Sequence, residues 1–484
     1  MPVTPAQAAL VKSTIPLLRH HGSLITTIFY RSLLTAHPHL SAIFNSANQT
    51  NGRQPRALTH LILAFAEHIH SLSELAPVLE RVAQKHVSLA IAPADYAIVG
   101  SFLIQAFTTV LSPRVFTPDI QDAWNAAYAV LAHMLSSREA QLYAAFAPWT
   151  GLRPFRILRK VQETRTAPHV YSLYFEPVDG QPLPSFLPGQ YVSLQIPVTG
   201  HHLITHQTRQ YSLSDRPRPE YLRITLKKEI DPATGTAGIV SSALVDDYSV
   251  SDIVHLSHPA GEFFFDVQQH SNTASVPLVL ISAGVGVAPM MSILNTILAE
   301  SPSPPSSRGT ASHRSTSPAR DAVSVANSAR LQTPTPTRSC SPASRYSTSA
   351  STAASTAPTS PSLSAAPVRP ITWIHGSHSD APFDIYIRSI AHTRRDFYAA
   401  IFKTEPIMGD VRGVDFNFEG RVDLAKLTDA ELHLGHGGTE YMVCGPEGFM
   451  YEVRDGLVAR GVDRSRVKCE LFNVGDMLAA RREI

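Results

Sequence analysis

Residues 188–191 read Pro-Gly-Gln-Tyr, and residues 209–213 read Arg-Gln-Tyr-Ser-Leu. Both lie within a series of short, β-branched or alternating runs. These are RILRKV from 156, HVYSLYFEPV from 169, QYVSLQIPV from 190, RQYSLS from 209, YLRITLKKE from 221 and DIVHLSHP from 252. Turn residues such as Asp179-Gly180 and Pro188-Gly189 separate them. The pattern predicts an antiparallel β-barrel or sandwich of about six strands across 152–267. An isoalloxazine ring needs an aromatic face and hydrogen-bond donors at its polar edge, and a diphosphate needs a cation and backbone N–H groups. Tyr191, Arg209, Gln210, Tyr211 and Ser212 supply those groups in one run. Downstream, Gly238-Ile-Val240-Ser241-Ser242 opens a short helix, whose N-terminus suits a phosphate. FAD is the expected ligand of this domain.

On the C-terminal side, VPLVLISAG from 276 leads into Gly284-Val285-Gly286-Val287-Ala288-Pro289 and a helical pattern. RPITWIHGS from 369 follows, and then a strand that ends in Cys444-Gly445-Pro446 and a second helix. Buried runs alternating with helices predict a doubly wound α/β domain over 272–484. Two glycine-rich strand-to-helix turns at the carboxyl ends of parallel strands make a crevice suited to a dinucleotide, which the family resemblance given below implies to be NADH or NADPH. The domain is interrupted by 301–367, mostly Ser, Thr, Pro and Ala with six Arg and one Asp. Such a segment buries too little apolar surface to offset its ordering entropy, so disorder is expected. It is read as a plain spacer, a retained intron, or a docking segment for a kinase or regulator. The last reading rests on Ser-Pro or Thr-Pro steps at 301, 303, 317, 333, 335, 341 and 360.

On the N-terminal side, residues 1–150 carry long helical patterns; Ala57, Leu58, Leu61, Ile62, Phe65, Ala66 and Ile69 recur at i, i+3, i+4 spacing. This predicts an all-α domain. The full length of 484 residues accommodates three domains at about 150 residues each. A net charge of +2 gives no basic field for nucleic acid or anionic lipid. The three cysteines, at 340, 444 and 469, form neither a disulfide framework nor a metal motif. The longest uncharged stretch, Val276 to Ala299, is broken by Pro277, Gly284, Gly286 and Pro289 and reads as strand, turn and helix instead of a membrane span.

The order of barrel, Arg-x-Tyr-Ser, Gly-x-Gly-x-x-Pro and Cys-Gly-Pro resembles the ferredoxin-reductase-like FAD/NAD(P) module. With a helical domain in front, the chain resembles a flavohaemoglobin. Phe29-Tyr30, Ile43-Phe44-Asn45, Asn51-Gly-Arg-Gln54, Ala83-Gln-Lys85-His86, Tyr96-Ala-Ile-Val-Gly100 and Arg138-Glu139-Ala match its globin motifs in order. The resemblance implies haem b, with His86 as the ligand to iron and an open sixth position for O₂. It further implies that Tyr96 and Glu139 form a relay behind His86 and that Tyr30 and Gln54 stabilise bound O₂ from the distal side. Phe44 and Leu58 would wall the haem, Lys85 and Glu470 would tune the redox potentials, and Phe472 would stack over the flavin.

The activity so implied is that of a nitric oxide dioxygenase. Electrons pass from NAD(P)H to FAD to haem, and NO and O₂ become nitrate. Two other classes remain open at this point: a flavin-dependent reductase of ferric iron, quinones or peroxides, and a non-enzymatic haem-based gas sensor. Val287-Ala288 stands where the family commonly has Gln-Thr, which puts nucleotide affinity in question. Phe472-Asn473-Val stands where it has Phe-Gly-Pro. A monomer in the cytoplasm is expected, in preference to the mitochondrion, because the globin motifs begin so near Met1.

Overall fold

The computed structural model describes residues 3–43, 52–167, 169–200, 203–230, 234–269, 275–300 and 369–470. The expectations for Phe44, Phe472, Asn473 and the insert 301–367 lie outside the described residues.

Among the described residues the N-terminal part consists of helices and their connections: α1 (Pro5–Ser13), α2 (Ile15–Ala36), α3 (Arg53–Glu67), α4 (Ala76–Ser88), α5 (Pro93–Leu111) and α6 (Pro118–Ala145). Proline occupies a first-turn position of α1, α2, α4, α5 and α6, where its missing N–H costs nothing. The helices bury a shared core that includes Ile25, Phe29, Leu33, Phe65, Phe107 and Trp124. Helices α2 and α3 cross closely because Gly22 carries no side chain; a Cβ there would lie 2.4 Å from the Thr59 methyl. The Thr26 and Thr59 hydroxyls, 3.0 Å apart, pin the same crossing. Helix α5 is long and apolar enough to cross a membrane by length and composition, yet it contributes Leu103, Ile104, Ala106, Phe107 and Leu111 to the helical core.

The middle part is a six-stranded antiparallel sheet of β1 (Leu152–Gln162), β2 (Val170–Pro177), β3 (Tyr191–Gly200), β4 (Leu203–Ser212), β5 (Leu222–Lys227) and β6 (Ile253–Ser257), in the order β4-β3-β6-β1-β2-β5. Its outer strands meet through a single bridge, Leu213 to Ile224. The strand count and the antiparallel pairing match the sequence expectation, and among the described residues the ladder pairings do not run on into a continuous closed barrel. The short helix expected after Gly238 is α7 (Ile239–Asp246), capped by that glycine.

The C-terminal part is a parallel sheet of β7 (Leu278–Ala283), β8 (Ile371–Ser377), β9 (Phe397–Lys403), β10 (Phe418–Glu419), β11 (Glu440–Cys444) and β12 (Val467–Cys469), ordered β10-β9-β8-β7-β11-β12. Helices α8 (Val287–Glu300), α9 (Asp384–Thr393) and α10 (Glu447–Ala459) complete it. Cores lie on both faces, one around Met290, Trp373 and Met442, the other around Ile281, Phe402 and Tyr441. Burial on both faces accounts for the unbroken apolar runs in the sequence. The strand order reverses between β7 and β11, and ligands of open α/β sheets bind at such a point. The uncharged stretch 276–299 resolves into β7, a glycine turn and α8.

Candidate active site

His86 sits in the last turn of α4. Its Nδ1 is 2.8 Å from Oε1 of Glu139, which α6 presents, and 3.0 Å from the hydroxyl of Tyr96, in the first turn of α5. The Tyr96 hydroxyl donates to the same carboxylate oxygen, and Glu139 is 2% exposed. A carboxylate can only accept, so Nδ1 carries the imidazole proton and the lone pair resides on Nε2, the nitrogen a metal would take. Burial, reinforced by the hydrogen bond to Glu139, pushes the Tyr96 phenol far above its ordinary value, and it remains a donor. Tyr128 holds this cluster from behind: its hydroxyl donates to the Tyr96 carbonyl at 2.7 Å. Gly100 makes room for it, since a Cβ there would lie 2.4 Å from the Tyr128 ring.

Tyr30 of α2 hydrogen-bonds the side chain of Gln54 in the first turn of α3. The phenol is buried, which raises its pKa, with Gln54 opposing. Leu58, one turn beyond Gln54, is half-buried against the helical core.

The flavin-motif residues converge at one end of the β3–β4 pair, where Tyr191 lies opposite Ser212, Val192 opposite Tyr211, and Ser193 opposite Gln210. Gly189 allows the preceding turn. Its φ is +112°, and a Cβ would strike the Phe263 carbonyl oxygen at 2.7 Å. The Arg209 guanidinium donates to the Thr208 carbonyl at 2.7 Å, and burial lowers its pKa. Tyr211 packs on the sheet core, and burial raises its phenol. Val240 is buried in that core, and Ser241 Oγ accepts from the Glu229 amide at 3.1 Å, tying the start of α7 to the strand region.

Gly284 to Gly286 forms a 3-10 turn between β7 and α8, with Val285 inside it. A Cβ on Gly286 would come within 2.3 Å of the Cys444 carbonyl oxygen and 2.8 Å of the Gly445 amide nitrogen. The two glycine turns of the sequence analysis therefore touch at the reversal of strand order, and only glycine permits it. Val287, Ala288 and Pro289 are buried in the first turn of α8, and Pro446 caps α10.

Further contacts join these regions, several of them through residues given no role by the sequence reading. Arg81 pairs with Glu262, and the Gly261 amide donates to Gln84 Oε1 at 2.9 Å. Ser88, fully buried, receives the Ser193 hydroxyl at 3.0 Å and the Gln210 amide at 2.9 Å. Lys85 and Glu470 are brought within electrostatic reach of one another; burial, then Glu262, pushes the Glu470 carboxyl up to about 8, against Arg81 and Lys85. On the nucleotide side, Ser292 donates to the Asp215 carbonyl and Asn295 to its carboxylate, both at 2.8 Å. Gln84 and Ser193 lay within quoted motifs or strand runs, whereas Arg81, Ser88, Asp215, Glu262, Ser292 and Asn295 lay outside them.

The Globin family matches residues 27–135. A flavohemoprotein of Bordetella parapertussis is 34% identical over 480 residues, covering 98% of this chain and 99% of the relative. One from Rhizobium meliloti is 33% identical over 471 residues, covering 96% of each. Among solved structures, the flavohemoglobin from Malassezia yamatoensis aligns with a TM-score of 0.70 at 22% identity, over 97% of this chain and 99% of that one. Identity at this level across the whole length, together with the helical, antiparallel and parallel parts in that order, places the chain in the flavohemoprotein family.

Proposed function

We propose that the protein is an NAD(P)H-dependent nitric oxide dioxygenase, converting NO and O₂ to nitrate. The observation that carries this reading is the His86–Glu139–Tyr96 cluster in the same helical domain as the buried Tyr30 and its partner Gln54. When bound, haem supplies a site for O₂, and FAD converts the hydride of NAD(P)H into single electrons. The Malassezia yamatoensis flavohemoglobin contains FAD and heme, and the donor sets here suit both groups.

His86 offers Nε2 to iron, and Glu139 and Tyr96 hold the ring and raise its basicity. Tyr30 and Gln54 would donate hydrogen bonds to bound O₂, with Leu58 beside them. Tyr191, Arg209, Gln210, Tyr211, Ser212 and the 238–241 turn would hold FAD, with the half-buried Arg209 cation for the diphosphate. The turns at 284–289 and 444–446 hold the nicotinamide nucleotide, and Lys85 and Glu470 set the electrostatics between the redox groups.

Anaerobic stopped-flow absorbance of the ferric holoprotein with NADH, and separately NADPH, tests the electron path. Flavin bleaching followed by appearance of ferrous haem is the expected result. Haem that stays ferric with both nucleotides sinks the proposal. In that case flavin bleaching alone favours a reductase of other acceptors, and no bleaching favours a gas sensor.

A further inference from the structure

One face of α4 docks on the antiparallel sheet domain through residues spaced at i, i+3 and i+7. Arg81 pairs with Glu262, Gln84 accepts from the Gly261 amide, and Ser88 ends the row. Ser88 differs from the other two because several groups meet on its one hydroxyl. Its Oγ donates to the Lys85 carbonyl at 2.8 Å, which leaves its lone pairs to accept. They receive Ser193 Oγ from β3 at 3.0 Å and Gln210 Nε2 from β4 at 2.9 Å, and Tyr191 stands beside it. Tyr191 packs against Val87, the residue between His86 and Ser88. Ser88 has no exposed surface, so water cannot replace a partner that is lost.

The convergence joins two ends of the chemistry. Gln210 and Tyr191 belong to the runs read as flavin-binding, while Ser88 lies two residues beyond His86. The carbonyls of Lys85 and His86 both accept from the Leu89 amide, at 3.2 and 3.0 Å. The Ser88 hydroxyl therefore ties the flavin-motif strands to the helical turn that presents the proximal imidazole.

We infer that Ser88 is a positioning residue for electron passage: its buried hydroxyl fixes the flavin-motif strands against the His86 turn, and so sets the flavin-to-haem rate. This rests on the proposed electron path, which the wild-type stopped-flow experiment tests separately. It predicts a split between two steps. Hydride transfer from the nucleotide depends on the 284–289 and 444–446 turns, which Ser88 does not touch, whereas electron passage depends on the docking that Ser88 holds.

The test uses the full-length holoprotein as wild type, Ser88→Ala, Ser193→Ala and the double variant, with haem and FAD content matched. In anaerobic stopped flow, Ser88→Ala is expected to leave flavin bleaching by NADH within about twofold of wild type and to slow haem reduction about tenfold or more. Ser193→Ala, which removes one donor and leaves the globin helix intact, is expected to give an intermediate slowing that does not add to that of Ser88→Ala. Hydrogen–deuterium exchange supplies a readout independent of turnover: amides of 84–89 and 190–195 should exchange faster in Ser88→Ala, with those of 26–33 unchanged. Haem reduction at the wild-type rate in Ser88→Ala overturns the inference, as does equal slowing of both steps. If Ser88→Ala fails to fold, unchanged haem reduction in Ser193→Ala overturns it.

Discussion

Nδ1 of His86 lies 2.8 Å from Oε1 of Glu139, a carboxylate that α6 buries behind the ring. An ionised partner at this distance makes the imidazole a stronger electron donor to a metal at Nε2. Glu139→Gln keeps the shape and an acceptor oxygen but removes the charge. The expected outcome is retained haem, a lower iron–histidine stretching frequency in resonance Raman spectra of the ferrous protein, and a loss of turnover of about tenfold. An unchanged stretching frequency would separate Glu139 from the ligand.

Tyr30 stays protonated at any physiological pH because burial raises its pKa, so its hydroxyl keeps the proton that the proposed role toward bound O₂ requires. Tyr30→Phe should leave haem content intact and raise the O₂ dissociation rate by about tenfold, the equivalent of one hydrogen bond of about 1.4 kcal/mol. Flash photolysis or stopped-flow O₂ release reads this directly, and an unchanged rate removes Tyr30 from the role.

Gly286→Ala places a methyl against the Cys444 carbonyl oxygen, where the backbone of two turns already touches. The turns must part, so nucleotide affinity should fall at least tenfold in fluorescence or calorimetric titration. The O₂ dissociation rate of the ferrous protein should remain at the wild-type value. Equal loss of both properties would mean a general folding defect.

Glu470 gives stability a pH dependence of defined sign. Its carboxyl is raised in the folded state from 4.5 to about 8, so the folded chain binds the extra proton between those values. Its contribution is fully present below about 4.5 and is lost as pH rises through about 8. Glu470→Gln should therefore stabilise the fold more at pH 8 than at pH 5.5, by an amount on the order of 1–3 kcal/mol, read as a larger rise in thermal midpoint at pH 8. An equal shift at both pH values would contradict a raised carboxyl.

The period of apolar residues in 57–69 and the alternating runs from 156 to 259 were sufficient to identify the helical and β parts, because each is a local property of the backbone. The contact between the glycine turns was legible as chemistry but not as distance: Gly286 and Cys444 are far apart in the chain and meet only because the strand order reverses between β7 and β11. His86, Tyr96 and Glu139 were named through motif resemblance, and the structure brings them together. Ser88, Arg81 and Tyr128 were invisible as functional residues. Their partners, at 193 and 210, at 262, and in the Tyr96 backbone, are set by how the helices and sheet dock, and no local spacing encodes that.

The most direct measurement is NO consumption at an electrode under air, with nitrate assayed at the end, for the holoprotein supplied with NADH or NADPH and for His86→Ala as control. Each NO and O₂ takes one electron to give nitrate, so about two nitrate should form per nucleotide oxidised, and none with His86→Ala. Nucleotide oxidation at full rate with NO left intact and no nitrate formed would contradict the dioxygenase assignment.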